Sequence, residues 1–350
     1  MVSLDDKAAI ALIDKSNTYA SVVNLSKQCK QAWEETQHIV FLENYRNVQN
    51  ITLCGMGGSA YAAYFIKALF SKKLPLPFAL VNGYDIPAYI NEKSLVLLSS
   101  YSGSTEEILT CAKAALARGA KLAAVASGSH LEAFAKTNNL PAYIFNPLHN
   151  PAKQPRLGQG YMILGHMGLL ARLGFLPLTT PEVTEAISFL EEQNETIEKQ
   201  AKNIASELVE KIPVIVAAEH LAGNAHALRN QFNETGKSFA SYSLIPELNH
   251  HLMEGLVHPQ ERILTFLMFR SALYSPVVQK RFALTKNVLA KNNMSVVNAQ
   301  IEGKTTLSQA LYTLSLGGYI TFYLAILYKK DPSLIPWVDY FKQQLQQSSL

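Results

Sequence analysis

The sequence predicts two doubly wound α/β domains, each a parallel sheet between layers of helices, with further helices at the N- and C-terminal ends. Three observations carry that expectation. Short, continuously apolar runs such as Leu95-Val96-Leu97-Leu98-Ser99 and Pro213-Val214-Ile215-Val216-Ala217-Ala218 have the length and character of strands buried on both faces. They alternate with helical segments, as in a parallel sheet covered on both sides. The chain has 350 residues, more than one core usually holds, since single cores stop growing near roughly 250 to 300 residues.

Along the chain, residues 4–46 carry apolar side chains at helical spacing (Ile10 and Ile13, then Trp33, Val40 and Phe41) and read as scaffold helices. Ile51-Thr52-Leu53-Cys54 is a strand that meets the turn Gly55-Met56-Gly57-Gly58-Ser59, and residues 60–70 read as the helix after it. Strands follow at 76–81, where Pro77 weakens the start, at 95–99 and at 122–126, with a helix at 108–116 closed by Gly119. Residues 160–173 read as a helix, and 179–202, polar and helically spaced, as a connector. A second series has strands at 213–218, 263–268 and 294–299 and a helix at 221–235. A long apolar helix at 307–327 is broken by Asp331-Pro332 and followed by a last helix at 335–345. The expected division is an N-terminal helical segment (1–46), a first domain (47–178), the connector (179–202), a second domain (203–328) and a C-terminal helix (329–350).

Composition narrows the functional classes. With 48% hydrophobic and 17% charged residues the chain is an ordinary globular protein rather than a disordered or fibrous one. A net charge of +4 without any block of Lys or Arg argues against a nucleic-acid partner. Cys29, Cys54 and Cys111 are widely spaced and form no CxxC pair, which fits free buried thiols in a reducing compartment and hence a cytoplasmic location. Asp5, Asp6 and Lys7 precede any apolar run, and Arg172 interrupts the apolar stretch 164–178, so neither a signal peptide nor a membrane span is expected.

Two turns carry the chemistry. Gly55-Met56-Gly57-Gly58-Ser59-Ala60 lies between strand and helix and satisfies a dinucleotide-binding pattern, but no acidic residue ends the next strand, Leu80-Val81-Asn82-Gly83, where a ribose would need one. A ligand-free tight turn is the plain alternative. The loop Ser100-Tyr101-Ser102-Gly103-Ser104-Thr105 discriminates better. It leads from a buried strand into a helix whose N-terminus offers unpaired N–H groups and a partial positive charge to an anion. A helix cap would need one of its hydroxyls. Four, expected to face Ser59 at the carboxyl edge of one sheet, point to phosphate binding through Gly57, Gly58, Ser59, Ser100, Ser102 and Thr105.

Gly57-Gly58-Ser59 followed by Ser100-Tyr101-Ser102-Gly103-Ser104-Thr105-Glu106-Glu107 resembles the SIS (sugar isomerase) domain. Within that group the chain is similar to the bifunctional phosphoglucose/phosphomannose isomerases. The likeness continues through Asn82-Gly83-Tyr84-Asp85-Ile86-Pro87, Pro155-Arg156, Asn233-Glu234, Lys237, Asn249-His250, Gly255, Leu324-Ala325 and Asp331-Pro332, nearly the whole chain. It implies two SIS domains of flavodoxin-like type and an aldose–ketose isomerase acting on glucose 6-phosphate and mannose 6-phosphate through a cis-enediolate. It also implies a role for each site residue. Glu234 matches the base that moves a proton between C2 and C1, for which a tuned carboxylate is apt. His250 matches the histidine of ring opening, delivered from the partner subunit of a homodimer, with the adjacent His251 as its rival. Arg156 matches the fixed charge that stabilises the enediolate, and Lys342 the C-terminal lysine that assists ring opening. Ser333 stands near the place of a threonine linked to accepting both C2 epimers.

Departures from the pattern are Ala60-Tyr61-Ala62-Ala63 where the family is richer in glycine, His251 where it has Asn, and Gly318 where an acidic residue is common. The nine histidines are scattered and form no HExxH or Cys/His cluster, so no metal and no cofactor are expected. Two other readings stay open: an SIS-type regulator that binds a sugar phosphate without turnover, and an isomerase of an amino-sugar phosphate. Neither a DNA-binding domain nor a glutaminase domain with its N-terminal Cys is recognisable in the sequence.

Overall fold

The computed structural model describes residues 3–347. Helices α1 (Lys7–Ile13), α2 (Thr18–Val23) and α3 (Leu25–Thr36) precede a first α/β unit. That unit runs β1 (Asn50–Gly55), α4 (Tyr61–Phe70), β2 (Phe78–Val81), β3 (Ser94–Ser99), α5 (Glu106–Ala117), β4 (Lys121–Ala126), α6 (Ser129–Thr137), β5 (Ala142–Ile144) and α7 (Gln159–Arg172). Helices α8 (Thr180–Glu192) and α9 (Asn194–Glu207) lead to the second: β6 (Ile212–Ala218), α10 (Ala222–Glu234), β7 (Ser241–Ile245), β8 (Leu264–Ser271), α11 (Pro276–Lys291), β9 (Ser295–Ile301) and α12 (Thr306–Leu327). Helix α13 (Pro336–Gln347) follows. The expected elements are present with ends shifted by a few residues, and α6, β5, β7 and α11 are additions.

Both sheets are parallel throughout, ordered β2-β1-β3-β4-β5 and β7-β6-β8-β9. Chain order reverses between β1 and β3 in the first and between β6 and β8 in the second, and in open α/β sheets ligands bind in the crevice outside the carboxyl ends at such a point. The two turns singled out above follow β1 and β3, so strand order alone brings them to one crevice.

The long apolar helix is the centre of the molecule. Apolar on every side, α12 has no face suited to water, and the fold surrounds it with α2, α8, α9 and α10. Among the described residues it is the one helix long and apolar enough to cross a membrane, and 94% of its apolar window is buried inside the fold. Cys29, Cys54 and Cys111 are all buried and unpaired.

The serine loop keeps its shape through Gly103, whose φ of +72° lies in the left-handed region and whose added Cβ would stand 1.8 Å from the Gly128 carbonyl oxygen. Gly103→Ala should therefore destabilise the protein by about 1–3 kcal/mol in denaturant unfolding, the usual range for overpacking a tight contact, and should weaken inorganic phosphate binding measured by calorimetry.

Candidate active site

The expected phosphate cradle is formed by two turns tied to each other. Ser59, after β1, accepts a hydrogen bond on Oγ from the Tyr101 N–H at 3.0 Å. Its carbonyl accepts one from the Ser99 hydroxyl at the end of β3. Inside the serine loop the Ser100 and Thr105 hydroxyls lie 2.7 Å apart, and Ser100 Oγ also accepts from the Gly103 N–H at 3.1 Å. Ser104 donates to Ser102 Oγ at 3.2 Å. Thr105 holds the N-cap position of α5, yet its side chain makes no capping hydrogen bond. The N–H groups of the first turn are thus left to an anion, together with hydroxyl protons that the internal pairs do not use up. A simple helix cap would have spent Thr105 on those amides.

The second sheet repeats this geometry with its anion built in. Gly57, the residue after Met56 at the start of the first turn, has φ +49°, and Glu219, at the equivalent place after β6, has φ +45°. A non-glycine residue there is strained by roughly 1–2 kcal/mol. Its carboxylate reaches the N-cap of α11, accepting from the Ser275 N–H at 3.1 Å and hydroxyl at 2.6 Å. A side chain therefore fills in the second sheet the position left open in the first, so each chain holds one cradle of this kind.

Arg156 lies against the glycine turn: a Cβ added to Gly58 would be 3.6 Å from the Arg156 Cα. Its side chain is buried, with the residue only 4% exposed. Nε donates to Thr235 Oγ1 at 3.3 Å, Nη1 to Gln154 Oε1 at 3.0 Å, and Nη2 to the Pro332 and Ser333 carbonyls at 3.0 and 2.7 Å. Burial lowers its pKa, and the nearby carboxylates of Glu234, Asp339 and Asp331 oppose that shift.

Glu234 ends α10. No hydrogen bond or ion pair to its carboxylate is found among the described residues, although the charges of Arg156, Lys237 and Lys342 act on it. Burial outweighs those cations and holds its pKa above the ordinary glutamate value. The same charge helps to raise the pKa of Tyr61, second to burial, which brings the carboxylate into the neighbourhood of the glycine turn. Glu234 also lines an open groove of about 480 Å³ with Arg229, Asn230, Asn233, Phe239 and Tyr242.

The other expected residues divide. Lys342 is on the exposed side of α13, with its charge felt at Glu234. Ser333 is buried, its hydroxyl donating to Asp331 Oδ1 at 2.6 Å and lying 2.9 Å from the Ser16 hydroxyl, from which it can accept. His250 is not brought to the site within one chain. Helix α10 returns between the parallel strands β6 and β7, so Glu234 stands at the amino edge of the second sheet while His250 lies exposed beyond the carboxyl end of β7. His251 pairs with Glu247 at 2.9 Å. Among the described residues no three His, Cys, Asp or Glu side chains gather to hold a metal ion.

Sequence reasoning gave no role to Lys237, Thr235, Gln154 or Asn150. Lys237 Nζ donates to the carbonyls of Glu234 at 2.6 Å, Pro332 at 3.4 Å and Leu334. With Arg156 it fastens the segment that joins α12 to α13. A signal for the Asn150–Arg156 arm was present in Pro151 and Pro155, which stiffen a short loop.

The comparisons with known proteins agree with this architecture. A sequence profile described as SIS domain matches residues 44–140, and one described as bacterial phospho-glucose isomerase C-terminal SIS domain matches residues 197–345. A bifunctional phosphoglucose/phosphomannose isomerase of Caldicellulosiruptor bescii is 28% identical over 343 residues, 93% of this chain and 98% of the relative. The chain belongs to the bifunctional phosphoglucose/phosphomannose isomerase family. Its namesake from Aquifex aeolicus is 29% identical over 301 residues, 85% of this chain and 91% of the relative. In fold, a tagatose-6-phosphate ketose/aldose isomerase from Escherichia coli superposes with a TM-score of 0.68 at 13% identity, over 96% of this chain and 98% of that one.

Lys237 yields a test. Burial and, next, the Arg156 charge lower its pKa to about 8, against the opposing pull of Asp331 and Glu234. Above that pH a neutral amine has two N–H groups for three carbonyls. Activity should fall along an alkaline limb near pH 8, and Lys237→Arg should move that limb upward because a guanidinium does not titrate there. A limb that stays in place would assign it to another group.

Proposed function

We propose that this chain interconverts glucose 6-phosphate and mannose 6-phosphate with fructose 6-phosphate through a cis-enediolate. One observation carries the reading: a carboxylate, that of Glu234, without a hydrogen bond or ion pair among the described residues, held above its ordinary pKa beside a buried guanidinium and the candidate anion cradle. A regulator that only binds sugar phosphates gains nothing from keeping such a carboxylate half-buried.

In this reading the phosphate sits on Gly57, Gly58, Ser59, Ser100, Ser102 and Thr105, and the chain of the open sugar extends toward Glu234. The carboxylate takes the C2 proton of either aldose and returns it to C1, the aldehyde oxygen gaining a proton as the C2 hydroxyl loses one. The reaction is redox-neutral, so the proton is the only group to be moved. Arg156 has most of its N–H groups engaged with protein carbonyls and side chains, so its contribution to the enediolate is mainly its fixed, buried charge. Ser333 acts through its carbonyl on that guanidinium, keeping the segment beside the sugar in place.

Ring opening falls to the partner subunit's His250, with Lys342 assisting. The position of His250 at the far edge of the sheet from Glu234 supports a homodimer, because within one chain the two cannot meet. Exposed apolar side chains near Glu234 and along α13 support it too: Phe239 is 70% and Trp337 81% exposed, and Tyr340 and Phe341 are uncovered as well. Exchange of a C2 proton from either face accounts for use of both epimers.

Glu234→Gln should lower kcat on glucose 6-phosphate and mannose 6-phosphate by about 10²- to 10⁴-fold in a coupled assay with chelator present; a variant as active as wild type would remove Glu234 as the base. The raised pKa fixes two signs. The acid limb of the activity profile should lie above the pH expected for an ordinary glutamate, since the base must be ionised. For stability, a carboxyl whose pKa is higher folded than unfolded is stabilising when protonated, and that contribution is lost as pH rises through the folded value. Glu234→Gln should therefore melt above wild type at pH 7, and the difference should shrink as the pH is lowered through the glutamate range.

A further inference from the structure

We propose that Tyr101 and Asn150 form a spacer that sets the distance between the phosphate cradle and Arg156, so that they govern turnover rather than phosphate affinity. The proposal rests on the reading of the site given above and names residues that neither the sequence motif nor the family likeness assigns.

Tyr101 sits in the middle of the serine loop but carries none of its phosphate-facing hydroxyls; its side chain points away into the protein and is buried. Its backbone reaches both neighbouring turns. The N–H donates to Ser59 Oγ at 3.0 Å, and the carbonyl accepts from the Ser127 N–H at 2.9 Å and hydroxyl at 2.7 Å. The ring packs edge-on against Phe145, with centroids 5.3 Å apart. It also lies so close to Gly158 that a Cβ there would stand 2.1 Å from it. A loop anchored in this way moves as one body with its tyrosine.

At its far end the Tyr101 hydroxyl accepts from Asn150 Nδ2 at 2.8 Å. The same amide nitrogen donates its other proton to the Gln154 carbonyl, also at 2.8 Å. Gln154 Oε1 in turn accepts from Arg156 Nη1. Three hydrogen bonds therefore run from the cradle through one buried amide to the guanidinium. Asn150 is 1% exposed, and its Oδ1 has no hydrogen-bond partner among the described residues. An amide buried with its acceptor unused is an unfavourable way to fill space, since an orphaned buried polar atom is destabilising. The side chain is retained for its two donors, which an aspartate could not supply.

The physical need is plain. The phosphate is held at one end of the sugar and the proton moves at the other, so a rigid phosphate site helps only if the reacting carbons arrive at the right place. A displacement of about 1 Å can reduce turnover by up to 10²-fold without weakening the contacts that bind the inert end.

The test uses the full chain and variants that keep the packing. Tyr101→Phe deletes the hydroxyl while leaving the ring against Phe145 and Gly158, and Gln154→Ala removes the last link, the Oε1 that accepts from Arg156 Nη1, while keeping the main-chain carbonyl bonded to Asn150. Each should lower kcat for fructose 6-phosphate by about tenfold, with KM and the inhibition constant of inorganic phosphate within twofold of wild type. The double variant should be no slower than the slower single one, because both cut the same chain. A fall in melting temperature with unchanged kcat, a phosphate inhibition constant that rises in step with the loss of turnover, or losses that multiply in the double variant would each overturn the spacer. A wild type inactive on both hexose phosphates would overturn the proposed function and the spacer with it; an active wild type with a normal Tyr101→Phe would overturn the spacer alone.

Discussion

The buried guanidinium of Arg156 is the point on which the rest of the site depends. Its N–H groups go to Thr235 at the end of α10, to Gln154 on its own loop and to two carbonyls of the segment that leads to α13. Three stretches of chain distant in sequence are thereby fixed around one positive charge. A guanidinium suits this task because its donors diverge in a plane and it stays ionised even when burial opposes the charge. The glycine turn lies against the Arg156 main chain, so the same residue relates the first sheet to the second.

That arrangement explains how two similar units came to share one cradle. Each sheet ends at its switch point in a turn with positive φ and a helix N-terminus, the local conditions for holding an anion. In the first unit the turn is glycine and the helix is uncapped. In the second, Glu219 adopts the strained conformation and places its own carboxylate on Ser275. The second unit instead supplies Glu234 from the amino edge of its sheet. The candidate cradle and the proposed base thus come from opposite edges of two different sheets, brought together by Arg156 and by the packing of α4 on α10.

Lys237 adds a second cation a short distance from the first, and both grip the same segment of carbonyls. A buried and a half-buried cation repel, yet the carbonyl dipoles, Asp331 and Glu234 offset part of that cost. Because burial outweighs these cations at Glu234, its pKa stays above the ordinary glutamate value, which suits the proton transfer proposed for it.

Much of this was legible in the sequence, and the reason is locality. Continuous apolar strands, the glycine turn and the run of hydroxyls are each written within a few consecutive residues, so fold class, sheet type and phosphate loop follow from short-range pattern. Glu234 and Arg156 were legible through their neighbours Asn233 and Pro155, which mark them out by likeness. Short or polar edge elements such as β5 and β7 were not, since an edge strand with half its surface in water carries little apolar signal. Nor could the sequence say that Glu219 fills the second anion position, that Asn150 links Tyr101 to Gln154, or that Lys237 reaches across nearly a hundred residues to Leu334. Those facts are hydrogen bonds between segments far apart in the chain, and only the packing of the two sheets around α12 decides which side chains come within 3 Å of one another.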